Sequence, residues 1–143
     1  GCVCLLCRSL APTRMIFPVD PVSIPSVWHL ASPQLNRAFE QSESDTASNH
    51  LFGLMHDNEQ LWSIRSQAWA ITRVILGKSG DRVLEIVALA GAGVDEWGPE
   101  FFAVVESWAR ANGCKRSVFT GRIGWKKHAP GYTAKRITFL KEL

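Results

Sequence analysis

The sequence predicts a single α/β domain, and three observations lead to this fold class. The 143 residues match the usual size of one domain. Helical segments come first, and they are followed by β-rich runs, a long amphipathic helix and further strands. A strand that is joined to the next strand through a helix usually forms a right-handed parallel crossover. We therefore expect a sheet that combines a hairpin with a parallel pair.

The composition is typical of a packed globule. Hydrophobic residues make up 46% of the chain, charged residues make up 20%, and there are six Trp. No run of 18 apolar residues occurs, so no membrane-spanning segment is predicted. The net charge of +3 is uneven, because residues 115–143 contain eight Lys or Arg and one acid, a net +7 that leaves −4 for residues 1–114.

The N-terminal segment is rich in cysteine and contains three of the four Cys: Cys2, Cys4 and Cys7. Spacings this short make mutual disulfides awkward, which favours a reducing, cytoplasmic location. The pattern lacks a fourth metal ligand, so no metal site is predicted. Met15 opens the first segment with strand and helix signals, so residues 1–14 are interpreted as a disordered or non-native extension of a domain over 15–143. A lipidated N-terminus is the alternative, although Leu5 stands where Ser or Thr is required.

The N-terminal third is predicted to form short helices after an extended segment. A first helix begins at Ser23, and a second begins at Ser32, because Ser is a good N-cap and Pro33 suits the first helical position. These segments are interpreted as a broken helical pair. Asp45 or Thr46 is predicted to cap a third helix, whose apolar residues share one face: Leu51, Leu54 and Met55.

From Gln60 the hydrophobic period changes to two. Residues 61–65 and 68–76 are β-rich and are separated by Ser66-Gln67, which predicts a hairpin. Residues 83–90 are almost entirely apolar, and only Glu85 interrupts them. Such a run predicts a central strand that is covered on both faces.

The clearest element is a helix with an aromatic stripe that ends at Asn112-Gly113. The stripe is predicted to pack on the sheet, and its members recur at helical spacing: Trp97, Phe101, Val104, Val105, Trp108 and Ala111. A strand over 117–120 follows, then a short helix that stops at Pro130-Gly131, and a final strand over 132–140.

Several of these motifs together resemble GNAT (N-acetyltransferase)-like proteins of tailed bacteriophages and prophages. The motifs are the strand 84–89, the helix end 108–114, the run Gly121-Arg122-Ile123-Gly124-Trp125 and the pair Gly131-Tyr132. The resemblance extends from about residue 22 to residue 143. It implies a mixed central sheet with helices on both faces, acetyl-CoA as the cofactor, and a location in the bacterial host cytoplasm or in the virion.

The resemblance also places a coenzyme A loop before the long helix. In GNAT enzymes this loop has the form Arg/Gln-x-x-Gly-x-Gly/Ala and binds the pyrophosphate through backbone N–H groups at a helix N-terminus. The corresponding candidate cofactor-binding residues are Gly91, Ala92, Gly93 and Val94. Asp95 and Glu96 follow, and the helix dipole stabilises such carboxylates without any ligand. Weak binding of acetyl-CoA is therefore predicted.

Candidate catalytic groups are few. Glu85 can serve as a general base through water, or it can be an outward-facing strand residue. The resemblance implies a Tyr proton donor four residues before Gly131, but that position is Lys127, and the only Tyr is Tyr132. The four His share no metal-ligand spacing and are predicted to be surface residues: His29, His50, His56 and His128.

Three cations follow or lie within the Gly121–Trp125 run, and they are the candidate anion- or partner-binding residues: Arg122, Lys126 and Lys127. The alternative is structural, with the glycines permitting the turn and Trp125 filling the core. An acidic protein or a small molecule is the expected partner.

The leading functional hypothesis is a divergent or degenerate acyltransferase-like domain that acts as a binding or virion-associated module. An active acetyl-CoA-dependent N-acetyltransferase is the alternative. A basic nucleic-acid-binding domain ranks third, because no known nucleic-acid-binding motif accompanies the positive charge.

Overall fold

The fold is built on five strands, which lie in the order β1-β2-β3-β4-β5 across one sheet. The computed structural model describes residues 15–40, 45–120, 123–134 and 141–143. Within these residues the strands are β1 (Ile16–Pro18), β2 (Gln60–Ile64), β3 (Ala68–Leu76), β4 (Arg82–Gly91) and β5 (Cys114–Phe119). Strands β1 to β4 are antiparallel, and β4 pairs with β5 in parallel. The predicted hairpin, central strand and parallel crossover are confirmed.

Helices cover both faces of this sheet, as expected. They are α1 (Ile24–Phe39), α2 (Ser48–Met55) and α3 (Val94–Ala111), and 3₁₀ turns occupy Pro21–Ser23 and Ile123–His128. The core contains two clusters. One joins α1 and α2 to one sheet face through residues such as Leu35, Leu54 and Ile71, and the other joins α3 to the opposite face through Phe101, Val105 and Leu84.

The predicted break between two N-terminal helices was wrong, because α1 runs without interruption from Ile24 to Phe39 with Pro33 inside it. An internal Pro removes one helical hydrogen bond and costs about 3 kcal/mol or more. The helix tolerates Pro33 because its buried residues lie on one continuous face on both sides of the Pro: Ile24, Ala31, Leu35 and Phe39. Tertiary packing of this face outweighs the local breaking signal.

The aromatic stripe of α3 packs on the sheet as predicted, but its centre is displaced. Trp97, Phe101 and Val105 are buried, whereas Ala111 is exposed and Trp108 is only half-buried. Phe102 and Ala109, which were not assigned to the stripe, are buried instead. Phe102 is covered by aromatic rings beyond the helix, with Phe119 and Tyr132 at centroid distances of 5.6 and 5.2 Å. The C-terminal part of the domain therefore decides which side of α3 is buried.

Two further boundaries differ from the predictions. Strand β5 begins at Cys114 and so includes three residues before 117. The helix α2 begins at Ser48 and has Ala47 at its N-cap, because the Asp45 carboxylate bonds the side chains of His50 and Asn49. The predicted extension 1–14 and most of the predicted strand 132–140 lie outside the described residues.

The pairing of β4 with β5 covers only the first half of β4, because β5 ends at Phe119. Their paired residues run from Arg82↔Cys114 to Ile86↔Phe119, whereas β4 continues to Gly91 with β3 as its partner. A bulge lies at the same place, because the β3 register advances from Thr72↔Ile86 to Ile71↔Ala88 and leaves Val87 unpaired. The last five residues of β4, Val87 to Gly91, therefore have no described neighbour on the β5 side.

Candidate functional site

A cleft of about 420 Å³ lies at the end of β4, beyond Ile86, the last β4 residue that pairs with β5. Its lining comes from three parts of the chain: Gln34, Arg37 and Ala38 of α1, Gln67 in the β2–β3 turn, and residues 89–92. This volume falls within the usual range for small-molecule sites. Among the described residues, no carboxylate belongs to the lining, and the one charged side chain there is the guanidinium of Arg37.

The four predicted cofactor-binding residues lie at the junction of β4 and α3: Gly91 ends β4, Ala92 and Gly93 form the loop, and Val94 begins α3. Gly91 has φ +135°, and a Cβ there would lie 2.5 Å from the Ala68 Cα. Gly93 has φ +84°, and the indole N–H of Trp97 donates to the Ala92 carbonyl at 2.7 Å. Both glycines are thus needed for backbone geometry. The cleft includes Gly91 and Ala92, whereas Gly93 and Val94 begin α3 beside it.

The N-terminus of α3 offers little to a pyrophosphate. The N–H groups of Glu96 and Trp97 both donate to the Gly93 carbonyl, at 2.9 and 3.2 Å. Asp95 and Glu96 are exposed in the first turn, and Asp95 Oδ1 lies 3.5 Å from His128 Nε2. Because two carboxylates occupy this end, the site repels a polyanion that the helix dipole alone would attract. The residues present do not fit the pyrophosphate of coenzyme A.

Glu85 is engaged by a neighbouring strand. Its carboxylate accepts a hydrogen bond from the Arg73 Nε at 2.5 Å, and the two residues are directly opposite each other on β4 and β3. The Glu85 side chain is half-buried and does not line the cleft. The geometry therefore favours a cross-strand structural role for Glu85.

Tyr132 is a half-buried side chain whose hydroxyl bonds the Ser117 hydroxyl at 2.6 Å. Burial raises the pKa of Tyr132 to about 12, and nearby Glu106 acts in the same direction. The phenol therefore stays neutral at every physiological pH. Its ring packs against Phe102 and Phe119, so Tyr132 belongs to the aromatic cluster beside β5.

The predicted basic site is only partly described. Lys127 is exposed, as an anion-binding residue would have to be. Arg122 and the side chain of Lys126 lie outside the described residues, so the grouping of the three cations stays a prediction. Trp125 is half-buried and contacts the His128 ring edge-on, with centroids 5.8 Å apart, which agrees with an anchoring role for this Trp.

A buried ionic cluster surrounds His50, and the sequence did not predict it. The prediction that His50 is a surface residue was wrong. The His50 Nδ1 lies 2.7 Å from Glu59 Oε1, and its Nε2 lies 2.7 Å from Asp45 Oδ2. The side chain is 8% exposed and stacks on Phe39. A Cβ at Gly53 would overlap the Glu59 carboxylate, so glycine permits this approach. No spacing rule predicts the cluster, because folding brings Glu59 to the other side of the ring.

Opposing effects determine the pKa values in this cluster. The hydrogen bond to Glu59 raises the pKa of His50, burial lowers it, and Asp45 raises it further, so that the net direction is upward. Burial raises the pKa of Asp45, but bonds from Asn49, His50 and the Thr46 N–H together outweigh it and lower the pKa of this carboxyl. The two carboxylates therefore favour the imidazolium form of His50.

Comparison with solved structures shows a GNAT acetyltransferase fold. An aminoglycoside acetyltransferase, meta-AAC0020, from an uncultured soil metagenomic sample, determined with sisomicin, has a TM-score of 0.61 at 14% identity, covering 90% of this chain and 95% of that one. A putative acetyl transferase from Pyrococcus furiosus has a TM-score of 0.56 at 15% identity, covering 90% and 100%. Glucosamine-6-phosphate N-acetyltransferase from Arabidopsis thaliana has a TM-score of 0.55 at 10% identity, covering 90% and 97%.

Sequence comparison adds no relative to these structures. No protein-family profile matches the chain, and no curated protein sequence matches it. At identities of 9–15%, the structural likeness establishes the fold and leaves the chemistry to the residues of this chain. The class is therefore a single-domain α+β protein with a GNAT-like, acyltransferase-like fold.

The described residues contain no group of three or more His, Cys, Asp or Glu placed to hold a metal ion. Over the same ranges, no helix is both long enough and apolar enough to cross a membrane.

Proposed function

We propose that this protein is a GNAT-fold binding module whose coenzyme A site is degenerate. The observation that carries the proposal is the pair of exposed carboxylates, Asp95 and Glu96, in the first turn of α3. The indole N–H of Trp97 already donates a hydrogen bond to the Ala92 carbonyl. The chain itself therefore stabilises the loop, which needs no bound ligand.

The proposed module retains the scaffold of an acyltransferase while binding something other than a diphosphate. Tyr132 supports this view, since its hydroxyl is engaged with Ser117 inside an aromatic cluster. Glu85 supports it as well, since it forms an ion pair with Arg73. The candidate general base Glu85 and the only Tyr of the chain thus both have structural partners.

Calorimetric titration with acetyl-CoA tests the proposal directly. The wild-type protein should bind at best in the high micromolar range, roughly 100 µM or weaker. Removing the two charges with Asp95→Asn and Glu96→Gln should strengthen binding several-fold, because the repulsion is lost while side-chain size is kept.

The matched control removes two exposed acids elsewhere, with Asp57→Asn and Glu142→Gln. This variant has the same net charge as the α3 variant, so it separates a local effect from a global one. A submicromolar dissociation constant for the wild type would overturn the proposal, and so would equal gains in both double variants.

An active N-acetyltransferase is the second candidate, and the open cleft beside the end of β4 favours it. Release of free thiol from acetyl-CoA with a panel of amine acceptors measures this activity. Turnover well above the uncatalysed rate would establish the second candidate, and the absence of turnover together with weak acetyl-CoA binding would support the first.

We also propose, from the sequence resemblance to phage and prophage proteins alone, that the module acts in a phage-infected or lysogenic bacterial cell and can be virion-associated. Mass spectrometry of purified virions tests this setting. Absence of the protein from particles that contain all other structural proteins would overturn the virion association.

A further inference from the structure

One end of the sheet, at the start of β4 and away from the cleft, is strongly basic. Residues 76–82 form it together with residues 110–116, which link the last turn of α3 to the start of β5. We call these two segments the basic end. They contain five cations and one acid, Asp81, so they carry +4 in a chain whose net charge is +3. These 14 residues therefore hold more net positive charge than the whole chain.

Strand pairing joins the two segments into one surface. Leu76 pairs with Arg82 across β3 and β4, and Arg82 pairs with Cys114 across β4 and β5. A Cβ at Gly113 would lie 3.7 Å from Cδ of Arg82, so the end of α3 also contacts this surface. The segments meet because the parallel crossover returns the end of α3 to the edge at which β4 begins.

Most cations of the basic end have no carboxylate partner among the described residues. Arg116 pairs with Asp81 at 3.3 Å, and Arg110 lies 3.8 Å from Glu106. The other three cations are exposed and form no ion pair with a described residue: Lys78, Arg82 and Lys115. Because like charges held close together repel one another, this surface favours an anionic partner.

A large apolar side chain is exposed among these cations. Leu76 is 74% exposed and lies directly opposite Arg82. A Cβ at Gly80 would have nothing within 4 Å, so the turn that follows Leu76 projects into solvent. The basic end contains no aromatic ring on which a nucleic-acid base could stack. An anionic bilayer suits both features, because its headgroups attract cations and the acyl boundary beneath them accepts an apolar side chain.

We propose that the basic end binds an anionic lipid surface, with Lys78, Arg82 and Lys115 at the headgroups and Leu76 inserted between them. Binding is weak and reversible, since a few cations and one leucine fall short of the two strong signals that a stable anchor requires. The inference goes beyond the proposed function and does not depend on it. Because β4 has ten residues, its start lies about 30 Å from the end that leads into the coenzyme A loop.

Cosedimentation of the full chain with lipid vesicles is the primary test. Vesicles that contain phosphatidylserine and phosphatidylcholine should bind the protein at least about tenfold more tightly than vesicles of phosphatidylcholine alone, because each cation near an anionic surface strengthens binding about fivefold. Salt at about 1 M, where the Debye length falls to about 3 Å, should remove most of this preference.

Two triple variants assign the surface. One removes the unpaired cations of the basic end: Lys78→Gln, Arg82→Gln and Lys115→Gln. It should weaken binding to phosphatidylserine vesicles about 100-fold, at about fivefold for each charge. The matched control removes three exposed cations elsewhere and has the same net charge: Arg37→Gln, Lys127→Gln and Lys141→Gln. The control should lose far less binding, and both variants should keep the wild-type melting temperature because every substituted residue is exposed.

Leu76→Ala separates a lipid surface from other polyanions. It should weaken vesicle binding at least about fivefold, because the inserted apolar area is reduced. It should leave binding to a duplex oligonucleotide unchanged, since that contact depends on charge alone. Leu30→Ala is the control, because it truncates a leucine of α1 that is 54% exposed, and it should change neither.

The proposal is overturned if the wild type shows no preference for phosphatidylserine vesicles, if the two triple variants lose binding equally, or if Leu76→Ala binds vesicles as well as Leu30→Ala. Tighter binding to the oligonucleotide than to the vesicles would also overturn it, in favour of a nucleic-acid partner. A tight complex with acetyl-CoA would instead overturn the proposed function and leave this result standing, since the two assays are independent.

Discussion

Replacing His50 with Gln should destabilise the domain in a pH-dependent way. The substitution keeps an N–H donor but removes the positive charge between Asp45 and Glu59, both of which lie 2.7 Å from the imidazole. The Glu59 side chain is only 10% exposed, so its carboxylate loses its counter-ion in a place that water reaches poorly. Removing one partner of a buried ion pair typically costs about 3–5 kcal/mol, and because Asp45 is 30% exposed we expect the lower end, about 3 kcal/mol.

The direction of the pH effect follows from the raised pKa of His50. Protonated His50 stabilises the native state fully below its ordinary value of 6.5, and this contribution is lost as the pH rises through the higher native pKa. Asp45 has a lowered pKa, so its contribution is present above 3.8 and falls only as the pH drops through the native value. The cluster is therefore most stabilising between roughly pH 4 and 6.5.

Urea denaturation at pH 5.5 and pH 9 measures this effect. The gap in unfolding free energy between wild type and His50→Gln should be about 3 kcal/mol at pH 5.5 and clearly smaller at pH 9. His29→Gln is the control, because His29 is exposed and should show no gap at either pH. Equal gaps for His50→Gln at the two pH values, or no gap at pH 5.5, would refute the reasoning.

Two further stability predictions follow from backbone geometry and burial. Gly91→Ala should lower the unfolding free energy by about 3 kcal/mol, because φ is +135° and the new Cβ would overlap Ala68, whereas Gly80→Ala, at φ +81° with open space around it, should lose only about 1 kcal/mol. Equal losses would show that the loop can rearrange. Phe101→Ala should lower the unfolding free energy by about 3–5 kcal/mol, because the ring is fully buried. Trp108→Ala should lower it less, because Trp108 is only half-buried. Urea denaturation measures both losses, and the reverse order would place Trp108 at the centre of the packing.

The cleft was only partly visible from the sequence. The loop residues Gly91 and Ala92 line the cleft, and the glycine after an apolar strand correctly marked a close backbone approach, but their role in cofactor binding stays a prediction. Gln34 and Arg37 carried no such mark, since a polar residue on an amphipathic helix is ordinarily solvated. These two residues line the cleft only because α1 packs beside the end of β4, and no sequence spacing predicts that contact.

The fold class was determined by the sequence itself, since hydrophobic period is local and survives any tertiary arrangement. Period two predicted the hairpin of β2 and β3, and period 3.6 predicted α3. Tertiary structure decided three other features: the continuity of α1 through Pro33, the burial of Phe102 on α3, and the burial of His50. Each depends on contacts between residues far apart in the chain, and the energy of those contacts exceeds the local preferences that the sequence pattern reports.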